Sequence, residues 1–367
     1  MWAGPSPCLK QNTSGIVYEQ VSINSKINYC NLKILVCGLG SIGRRHIENL
    51  VLLGAAVSAW THRLPNSEQF AFLSELDVAY NANIEDAIQQ CHAIVIATPT
   101  DTHILIGDIA VKYKKHIYFE KPISDKFFDP KHYLSSPQLV IEVGCQLRSH
   151  PCLIKLKDLL GPSAATAGYR FSMGYRLDLW RPDSDYRASY SCDSKRGGGP
   201  LYELVHMIDL SIWFFGPVKS VYCQQAKRSM LELKCNDMCM LTLEHEAGVI
   251  GHVQLDMLSP FYRCDLEIVQ LENVYNFNLS TGILDKLSTV QSKNQIASTP
   301  SDFSRNTLFT NTARNFLDRI ISINSSVNTN PLCPFEDAYH ALMVLLAADL
   351  SASTFKKSTV YPFQITK

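Results

Sequence analysis

The sequence predicts an α/β domain with a doubly wound parallel sheet, followed by an α+β domain with a large, open, mainly antiparallel sheet. The 367 residues exceed the size of one ordinary hydrophobic core. Up to about residue 150, apolar strand patterns alternate with helical ones, and beyond it strand patterns follow one another without intervening helices. We therefore divide the chain into a loose N-terminal extension (1–31), a first domain (32–150) and a second domain (151–367).

Segments that are mostly apolar predict the strands of the first domain: 32–37, 55–60, 93–97 and 116–119. Helical patterns lie between them, from residue 42 to 53, from the capping residue Asn83 to Gln90, and onwards from Asp101 or Thr102. Because such strands bury both faces, they are typical of a parallel sheet covered by helices on both sides.

The strand patterns of the second domain often alternate apolar with polar residues, as in a sheet with one open face: 165–173, 220–225, 238–244, 248–255 and 266–271. Helices are predicted at 153–160, 201–215, 311–321 and 335–354. The polar stretch 290–304 is predicted to be loose.

Composition favours a globular protein without a general attraction for polyanions. Hydrophobic residues make up 46% of the chain, and 34 basic residues cancel 34 acidic ones. There is no run of apolar residues long enough to span a membrane and no signal-peptide pattern. The cysteines lack a CxxC pair and zinc-site spacing. We expect reduced thiols, a cytoplasmic location, no metal, and neither nucleic acid nor membrane as a partner.

The stretch GLGSIGRRH, residues 38–46, follows the first strand and opens the first helix. In this context a GxGxxG motif binds a dinucleotide: Gly38 allows the turn, Gly40 lets the backbone approach a pyrophosphate, and Gly43 lets the helix pack on the strand. The helix N-terminus, with Ser41 and Ile42, adds amides and positive charge. The first domain is thus predicted to be a Rossmann domain; a plain tight turn is the alternative.

The end of the second strand bears on the choice between NAD and NADP. It reads Thr61, His62, Arg63, without the acidic residue that usually binds the ribose hydroxyls of NAD. Because Arg63 suits a 2′-phosphate, we predict NADP or NAD with a slight preference for NADP. The alternative is that Arg63 stacks over the adenine or points to solvent.

Two further loops, ATPTDTH (97–103) and FEKP (119–122), follow strands at their carboxyl ends, where open α/β sheets bind ligands. A lysine is usually only a surface charge, but this position favours a role beside the nicotinamide. We predict cofactor contacts by Thr98, Pro99, Thr100, His103, Glu120, Lys121 and Pro122.

A loop before the glycines at 197–199 is crowded with aromatic residues and arginines. Aromatic faces stack on sugar rings, and guanidinium groups bind hydroxyls, carboxylates or phosphates. We predict substrate contacts by Tyr175, Trp180, Arg181, Tyr186, Arg187 and Tyr190, and by Arg148 in GCQLRSHP (144–151). The alternative is a loop that packs against its own domain or a neighbouring subunit.

Taken in order, GLGSIGRRH, ATPTDTH, EKP, GCQLRSHP and GGGPLYELVHMIDL (197–210) resemble the glucose-fructose oxidoreductase / inositol dehydrogenase / MocA (Gfo/Idh/MocA) family from about residue 32 to 355. The resemblance implies NAD(P) on the Rossmann domain and a sugar or cyclitol between the domains. It also implies that Lys121 acts at the reacting carbon, that the Lys121–Pro122 bond is cis, and that the family histidine is His206.

The sequence departs from the family pattern in one place. Many members carry an Asp four residues before the histidine, whereas here Glu203, three residues before His206, is the acid available. One helical turn would place Glu203 on roughly the same face as His206, and Asp209 lies one turn further on. ELxH and WRPxxDYRxSYS motifs occur together in a subgroup that resembles enzymes of surface-glycan and amino-sugar metabolism.

These residues predict an NAD(P)-dependent dehydrogenase or reductase that acts on a CH–OH group of a sugar, amino sugar or sugar derivative. His206 would move the hydroxyl proton, Lys121 would stabilise the oxyanion, Glu203 would tune His206, and His206 and Asp209 would contact the substrate. The alternatives are a redox-assisted lyase or hydrolase with tightly held NAD, and a non-catalytic NAD(P)-binding regulator. A homodimer or homotetramer through the open sheet is expected.

Overall fold

The computed structural model of the chain describes residues 29–161, 166–180, 182–289, 293–323 and 330–361. Most of the predicted N-terminal extension and Arg181 lie outside the described residues. Within the described ranges, no helix is both long enough and apolar enough to cross a membrane.

The first sheet is a six-stranded parallel sheet in the order β3-β2-β1-β4-β5-β6. Its strands are β1 (Lys33–Cys37), β2 (Ala56–Trp60), β3 (Ala79–Tyr80), β4 (Ala93–Ile96), β5 (His116–Phe119) and β6 (Ile141–Val143). The prediction of a doubly wound Rossmann sheet is therefore confirmed. The sequence pattern did not predict β3 and β6 because strands this short show no periodicity.

Helices cover both faces of this sheet: α1 (Ser41–Leu52), α2 (Ser67–Glu75), α3 (Ile84–Gln90), α4 (His103–Lys112) and α5 (Lys131–Leu134). Asn83 caps α3 as predicted, since its side-chain oxygen accepts from the backbone N–H of Glu85 at 2.9 Å and of Asp86 at 3.3 Å. Residues of β1 contribute to a separate core on each face of the sheet, Leu35 to one and Ile34 to the other.

The second sheet has nine strands in the order β14-β13-β12-β11-β7-β10-β9-β8-β15. They are β7 (Thr166–Gly174), β8 (Val218–Ala226), β9 (Met238–His245), β10 (Ile250–Asp256), β11 (Arg263–Gln270), β12 (Asn273–Asn278), β13 (Ile283–Ser288), β14 (Asn294–Ser298) and β15 (Ser358–Thr359). Only β7 and β10 pair in parallel, so the prediction of a mainly antiparallel sheet is confirmed.

Two segments differ from the prediction. The stretch 290–304 was predicted to be loose, but it contains β14, a strand at the edge of the sheet. The sequence did not predict this strand because its residues are mostly polar and do not alternate with apolar ones. The helix predicted at 201–215 is two helices, α7 (Pro200–Glu203) and α8 (His206–Phe215), separated by Leu204 and Val205. The break changes which residues share a face near His206.

The remaining helices are α6 (Pro151–Leu160), α9 (Arg305–Ser322) and α10 (Phe335–Thr354). Phe316 and Leu317 of α9 pack in one core of the parallel sheet, and Phe335 and Tyr339 of α10 pack in the other. The C-terminal half of α10 packs beneath the nine-stranded sheet. The proposed second domain thus contains helices that complete the cores of the first domain and connect it to the nine-stranded sheet.

Candidate active site

The glycine loop has the geometry that its motif predicts. Gly38 has φ +113°, and a Cβ there would lie 2.5 Å from the Ala97 carbonyl oxygen. A Cβ on Gly43 would overlap the Gly38 carbonyl oxygen. By contrast, a Cβ on Gly40 would meet no atom within 4 Å. Gly38 and Gly43 are therefore needed for packing, whereas Gly40 leaves open space beside its backbone, as the approach of a pyrophosphate requires.

The first turn of α1 faces the same space. Gly40 precedes the helix without a side-chain hydrogen bond to its first amides, and the first turn carries no acidic residue. Ser41 is exposed and Ile42 is half-buried. Because nothing in this turn opposes negative charge, the loop fits a dinucleotide phosphate.

The exposed residues His62 and Arg63 follow β2. Arg44, on α1, is already paired with Glu68, Nη1 to Oε1 at 2.7 Å. Glu68 is the first acidic residue after β2, and this ion pair gives it a partner in the protein. The end of β2 therefore presents an exposed guanidinium where many NAD-binding domains present a free carboxylate.

His103 joins the two loops that follow β4 and β5. Its Nδ1 lies 3.0 Å from the Pro122 carbonyl oxygen, and its Nε2 lies 2.9 Å from the Thr98 carbonyl oxygen. Burial lowers the pKa of His103, and a neutral imidazole donates from only one nitrogen. The ring therefore lies between the loops that carry Thr98 and Pro122 and connects them; a cofactor contact by His103 stays a prediction.

Glu120 links the glycine motif to the EKP loop. Its Oε1 lies 2.7 Å from His46 Nε2 and accepts from Gln146 Nε2 at 3.0 Å, and its Oε2 accepts from the backbone N–H of Lys121 at 3.3 Å. Burial alone would raise the pKa of Glu120, but the hydrogen bond and charge of His46, with the charge of Lys121, hold it below its usual value. Glu120 is thus an ionised, buried carboxylate that holds the Lys121 backbone.

Lys121 and His206 both lie at the break between α7 and α8. Lys121 Nζ donates to the Glu203 carbonyl oxygen at 2.8 Å, and the Lys121–Pro122 bond is cis. His206 begins α8, and its Nδ1 is buried without a hydrogen-bond partner. Burial first, then the nearby charges of Lys121 and Arg305, lower the pKa of His206 well below its usual value. The ring is therefore neutral near pH 7, with an unsatisfied nitrogen that a ligand hydroxyl could satisfy.

Glu203 is not placed to tune His206, which corrects that prediction. Its Oε1 accepts from Ser191 Oγ at 2.8 Å. Glu203 ends α7 and His206 begins α8, so the two are not on one helical face. Its side chain instead connects Ser191, in the loop before the glycines at 197–199, to α7. Its backbone carbonyl binds Lys121.

Arg148 and Asp209 form a buried ion pair, which corrects the prediction that they contact substrate. Arg148 Nη2 lies 2.7 Å from Asp209 Oδ1, and Arg148 Nη1 also binds Asp337 Oδ2 at 2.7 Å. Cys145 and Cys333 lie beside Asp209 with ligand atoms within 4.8 Å of one another. We propose no metal there, because the Arg148 guanidinium already neutralises Asp209. The network joins the first domain to α8 and α10.

The aromatic loop packs partly on its own domain. Trp180 Nε1 donates to the Tyr175 carbonyl oxygen at 2.8 Å, and the Tyr186 hydroxyl accepts from the backbone N–H of Glu232 at 3.2 Å. Arg187 is exposed and pairs with Asp185 at 2.8 Å. The local-packing alternative thus accounts for Trp180, Tyr186 and Arg187. Tyr175 and Tyr190 are half-buried and remain candidate substrate contacts.

Three residues that bear on His206 or Tyr175 were not predicted from the sequence. The Tyr262 ring lies 6.2 Å from the Tyr175 ring at 82°. The charge of Arg305 contributes to lowering the pKa of both His206 and Arg45, after burial in each case. Arg45 belongs to GLGSIGRRH, so its position after Gly43 was a usable signal. Nothing in the local sequence marks Tyr262 or Arg305, because their neighbours come from distant segments.

Two family models match the chain. Residues 32–137 match the model described as oxidoreductase family, NAD-binding Rossmann fold. Residues 169–272 match the GFO/IDH/MocA C-terminal domain.

Relatives and solved structures agree with these matches. The chain is 23% identical over 238 residues to the uncharacterized oxidoreductase YrbE of Bacillus subtilis (strain 168), covering 59% of this chain and 64% of that protein. It is 23% identical over 152 residues to UDP-N-acetylglucosamine 3-dehydrogenase of Acidithiobacillus ferrooxidans, covering 41% and 46%. Each match thus spans less than two thirds of the relative.

The solved structure of the latter enzyme superimposes with a TM-score of 0.71 at 16% identity, covering 88% of this chain and 98% of that chain. Levoglucosan dehydrogenase in complex with NADH and L-sorbose superimposes with a TM-score of 0.76 at 17% identity, covering 90% and 99%. At these identities the likeness shows the shared fold.

Proposed function

The chain belongs to the Gfo/Idh/MocA family of oxidoreductases, and on that basis we propose that it is an NAD(P)-dependent dehydrogenase or reductase. Its reaction interconverts a CH–OH group and a keto group on a sugar, amino sugar or sugar derivative. One observation supports this proposal most directly. Lys121, in the loop after β5, binds the chain three residues before His206, and His206 is a neutral histidine whose Nδ1 has no hydrogen-bond partner.

The glycine loop and α1 would hold the dinucleotide phosphates, with Thr98, Pro99, Thr100 and Pro122 beside them. The bound nicotinamide supplies the hydride acceptor for oxidation or the hydride donor for reduction. The slight preference for NADP rests on the exposed Arg63 after β2 and on the pairing of Glu68 with Arg44.

In the oxidation direction, neutral His206 takes the proton of the substrate hydroxyl as hydride leaves the same carbon. Lys121 stabilises the negative charge that develops on that oxygen, because its ammonium is held at the site by the Glu203 carbonyl. In reduction His206 returns the proton to the new alkoxide. Glu120 and His46 position Lys121 without meeting the reacting atoms.

The relatives named above act on a nucleotide-linked amino sugar and on levoglucosan, which supports a sugar-type substrate for this chain. The WRPxxDYRxSYS and ELxH motifs support a place in surface-glycan or amino-sugar metabolism. Tyr175 and Tyr262 offer aromatic surface on which a sugar ring can stack.

The outer face of the nine-stranded sheet supports self-association. It forms an open groove of about 890 Å³ whose lining residues include Arg170, Met240 and His252. Met240 and Ile250 are 44% and 52% exposed on neighbouring strands, so a second copy would remove them from water. Sedimentation of the wild type and of a Met240→Glu/Ile250→Glu variant tests this: a dimer or tetramer that the variant converts to monomer supports it.

The function is tested by calorimetric titration of the purified protein with NADPH, NADP, NADH and NAD, followed by a screen of sugars for absorbance change at the nicotinamide band. Binding with sugar-dependent reduction or oxidation supports the proposal. Cofactor trapped during purification is detected by denaturing the protein and reading the absorbance. If the protein neither contains trapped cofactor nor binds any of the four added cofactors, the proposal is refuted.

A further inference from the structure

Residues 190–203 of the second domain, here called the bridging segment, contact the loops of the first domain that follow β4 and β5. Gly197, which is buried, makes this contact: a Cβ on it would lie 3.2 Å from Asp125 Cβ and 3.4 Å from Thr100 Cβ. Thr100 belongs to the loop after β4 and Asp125 to the loop after β5, and both side chains are almost fully buried. The two domains therefore meet at the loops that we assign to the cofactor.

Two polar contacts extend this meeting of the domains. Lys121 Nζ donates to the Glu203 carbonyl oxygen at 2.8 Å, so the end of the bridging segment binds the loop after β5. Arg196 Nε lies 4.0 Å from Asp101 Oδ2, across the same boundary. Because the Arg196–Asp101 pair is largely exposed, it contributes little stability by itself. Its position nevertheless shows that the segment also reaches the loop after β4.

Hydrogen bonds within the bridging segment fix its shape. The Gly198 N–H donates to the Asp193 carbonyl oxygen at 3.0 Å. The Gly199 N–H donates to the Ser191 carbonyl oxygen at 2.9 Å, and Ser191 Oγ donates to Glu203 Oε1 at 2.8 Å. Because these bonds close the segment on itself, we expect it to move as one unit.

The order of the strands relates the bridging segment to a bound dinucleotide. The phosphates would lie at the N-terminus of α1, which follows β1, and β4 and β5 are the next two strands on one side of β1. Under the proposed function, the nicotinamide half would extend along the loops after these two strands, toward Lys121. The bridging segment contacts the same two loops, so the second domain contributes a wall to the cofactor site.

Resting on the proposed function, we propose that the bridging segment retains the nicotinamide cofactor. It closes the site over the nicotinamide half, and the cofactor leaves only when the segment separates from Thr100 and Asp125. Segments that close over a bound ligand commonly set the rate of its release. Gly197 has φ +77°, a backbone conformation that glycine adopts without strain. Gly197 is therefore a positioning residue, and cofactor release depends on both domains.

The test locks this contact with a disulfide. Gly197→Cys/Asp125→Cys places two thiols where the Cβ separation of 3.2 Å is close to the range of roughly 3.5–4.5 Å in disulfides. The reduced protein is loaded with NADPH or NADH, whichever binds, and is treated with oxidised glutathione. Stopped-flow fluorescence then follows displacement of the reduced cofactor by excess NADP or NAD. The cross-link should slow release by roughly 10-fold or more, and dithiothreitol should restore it.

Gly197→Ala tests the opposite direction and does not depend on the folding of the double variant. The added methyl group presses on Thr100 and Asp125 and strains the backbone, so release should accelerate by roughly 10-fold. Gly248→Ala is the matched control, because Gly248 has φ +84° but a Cβ there would meet no atom within 4 Å. It should release the cofactor at the wild-type rate. The wild type and the single cysteine variants control for the oxidant.

An unchanged release rate after cross-linking would overturn the inference, and so would a Gly197→Ala protein that releases the cofactor at the wild-type rate. If thiol titration shows that the folded double variant forms no disulfide, the contact is absent and the inference fails. If the wild type neither binds nor contains a nicotinamide cofactor, the proposed function itself fails.

Discussion

The side-chain amine of Lys121 donates a hydrogen bond to the main-chain carbonyl of Glu203, 2.8 Å away. This bond joins the loop after β5 to the break between α7 and α8, and His206 is the first residue after that break. Because the acceptor is a main-chain atom at a helix end, it cannot swing away as a side chain would. The reach of Lys121 toward His206 is therefore fixed by the two domains together.

Removing either member of this pair should reduce turnover without reducing cofactor affinity. Lys121→Met and His206→Asn should each lower kcat by roughly 10²- to 10⁴-fold, the usual contribution of a positioned proton-transfer or oxyanion-stabilising group. Steady-state kinetics on the sugar found in the screen, with calorimetry of cofactor binding, measures both quantities. Unchanged kcat in both variants would contradict the assigned roles.

Alanine substitutions at Gly40 and Gly43 should affect different properties, cofactor affinity at Gly40 and stability at Gly43. Gly40 has φ −73° and open space around it, so Gly40→Ala should keep the melting temperature of the free protein. It should weaken cofactor binding at least 10-fold, because the methyl group occupies the approach of the phosphates. Gly43→Ala would drive a methyl group into the Gly38 carbonyl and should lower the free energy of unfolding by about 1–3 kcal/mol or more.

Thermal unfolding with and without NADP(H) separates the two effects. A Gly40→Ala protein with wild-type cofactor affinity would show that the dinucleotide does not approach this backbone. A Gly43→Ala protein with wild-type stability would show that α1 packs less closely on the sheet than the structure indicates.

The sequence predicted the parts of the fold and site that are encoded locally. The glycine loop could be assigned because the motif lies between a buried strand and a helix in one continuous segment, within which Gly43 packs on Gly38. Four strands of the parallel sheet, β1, β2, β4 and β5, were predicted because they are mostly apolar, whereas β3 and β6 are too short to show a pattern. β14 was missed because it is an edge strand, and polar residues there need no core.

The remaining errors concern contacts between distant segments. Arg148 was predicted to contact substrate because its partners, the buried Asp209 and the half-buried Asp337, lie 61 and 189 positions away in the sequence. Glu203 looked like a partner of His206 because the pattern suggested one continuous helix.

Breaking the Arg148–Asp209 pair should destabilise the protein. Both side chains are almost fully buried, so Arg148→Met leaves an unpaired carboxylate and should lower the free energy of unfolding by about 3–5 kcal/mol. The double variant Arg148→Met/Asp209→Leu should regain much of this loss. Urea denaturation measures both. A substrate-binding role predicts instead a raised KM with unchanged stability, and that result would overturn our assignment.

Two buried histidines should make the fold sensitive to acid. The pKa of His150 and of His245 is lowered by burial to about 4; His245 lies between the Tyr169 hydroxyl at 2.8 Å and the Gly216 carbonyl oxygen at 2.7 Å. In the unfolded chain both take up protons below about pH 6.5. Their stabilising contribution is thus complete above pH 6.5 and is lost as the pH falls toward 4.

The expected loss is at most about 3 kcal/mol for each histidine, seen as a falling free energy of unfolding between pH 6.5 and 4.5. His245→Gln should be less stable than the wild type at pH 7 but should lose less on acidification. If the free energy of unfolding falls equally steeply with pH in the two proteins, His245 does not contribute to the acid sensitivity.

His206 gives the most direct test of the site electrostatics. Its pKa lies well below the usual value because of burial, Lys121 and Arg305, in that order. Each cation disfavours the imidazolium, so removing one must raise the pKa of His206. In the free protein, Lys121→Met and Arg305→Gln should therefore shift the NMR titration of the His206 ring, assigned by comparison with His206→Asn, to higher pH, whereas Arg314→Gln should not. If His206 titrates alike in all four proteins, neither cation influences its pKa, and the electrostatics that we assign to the site are wrong.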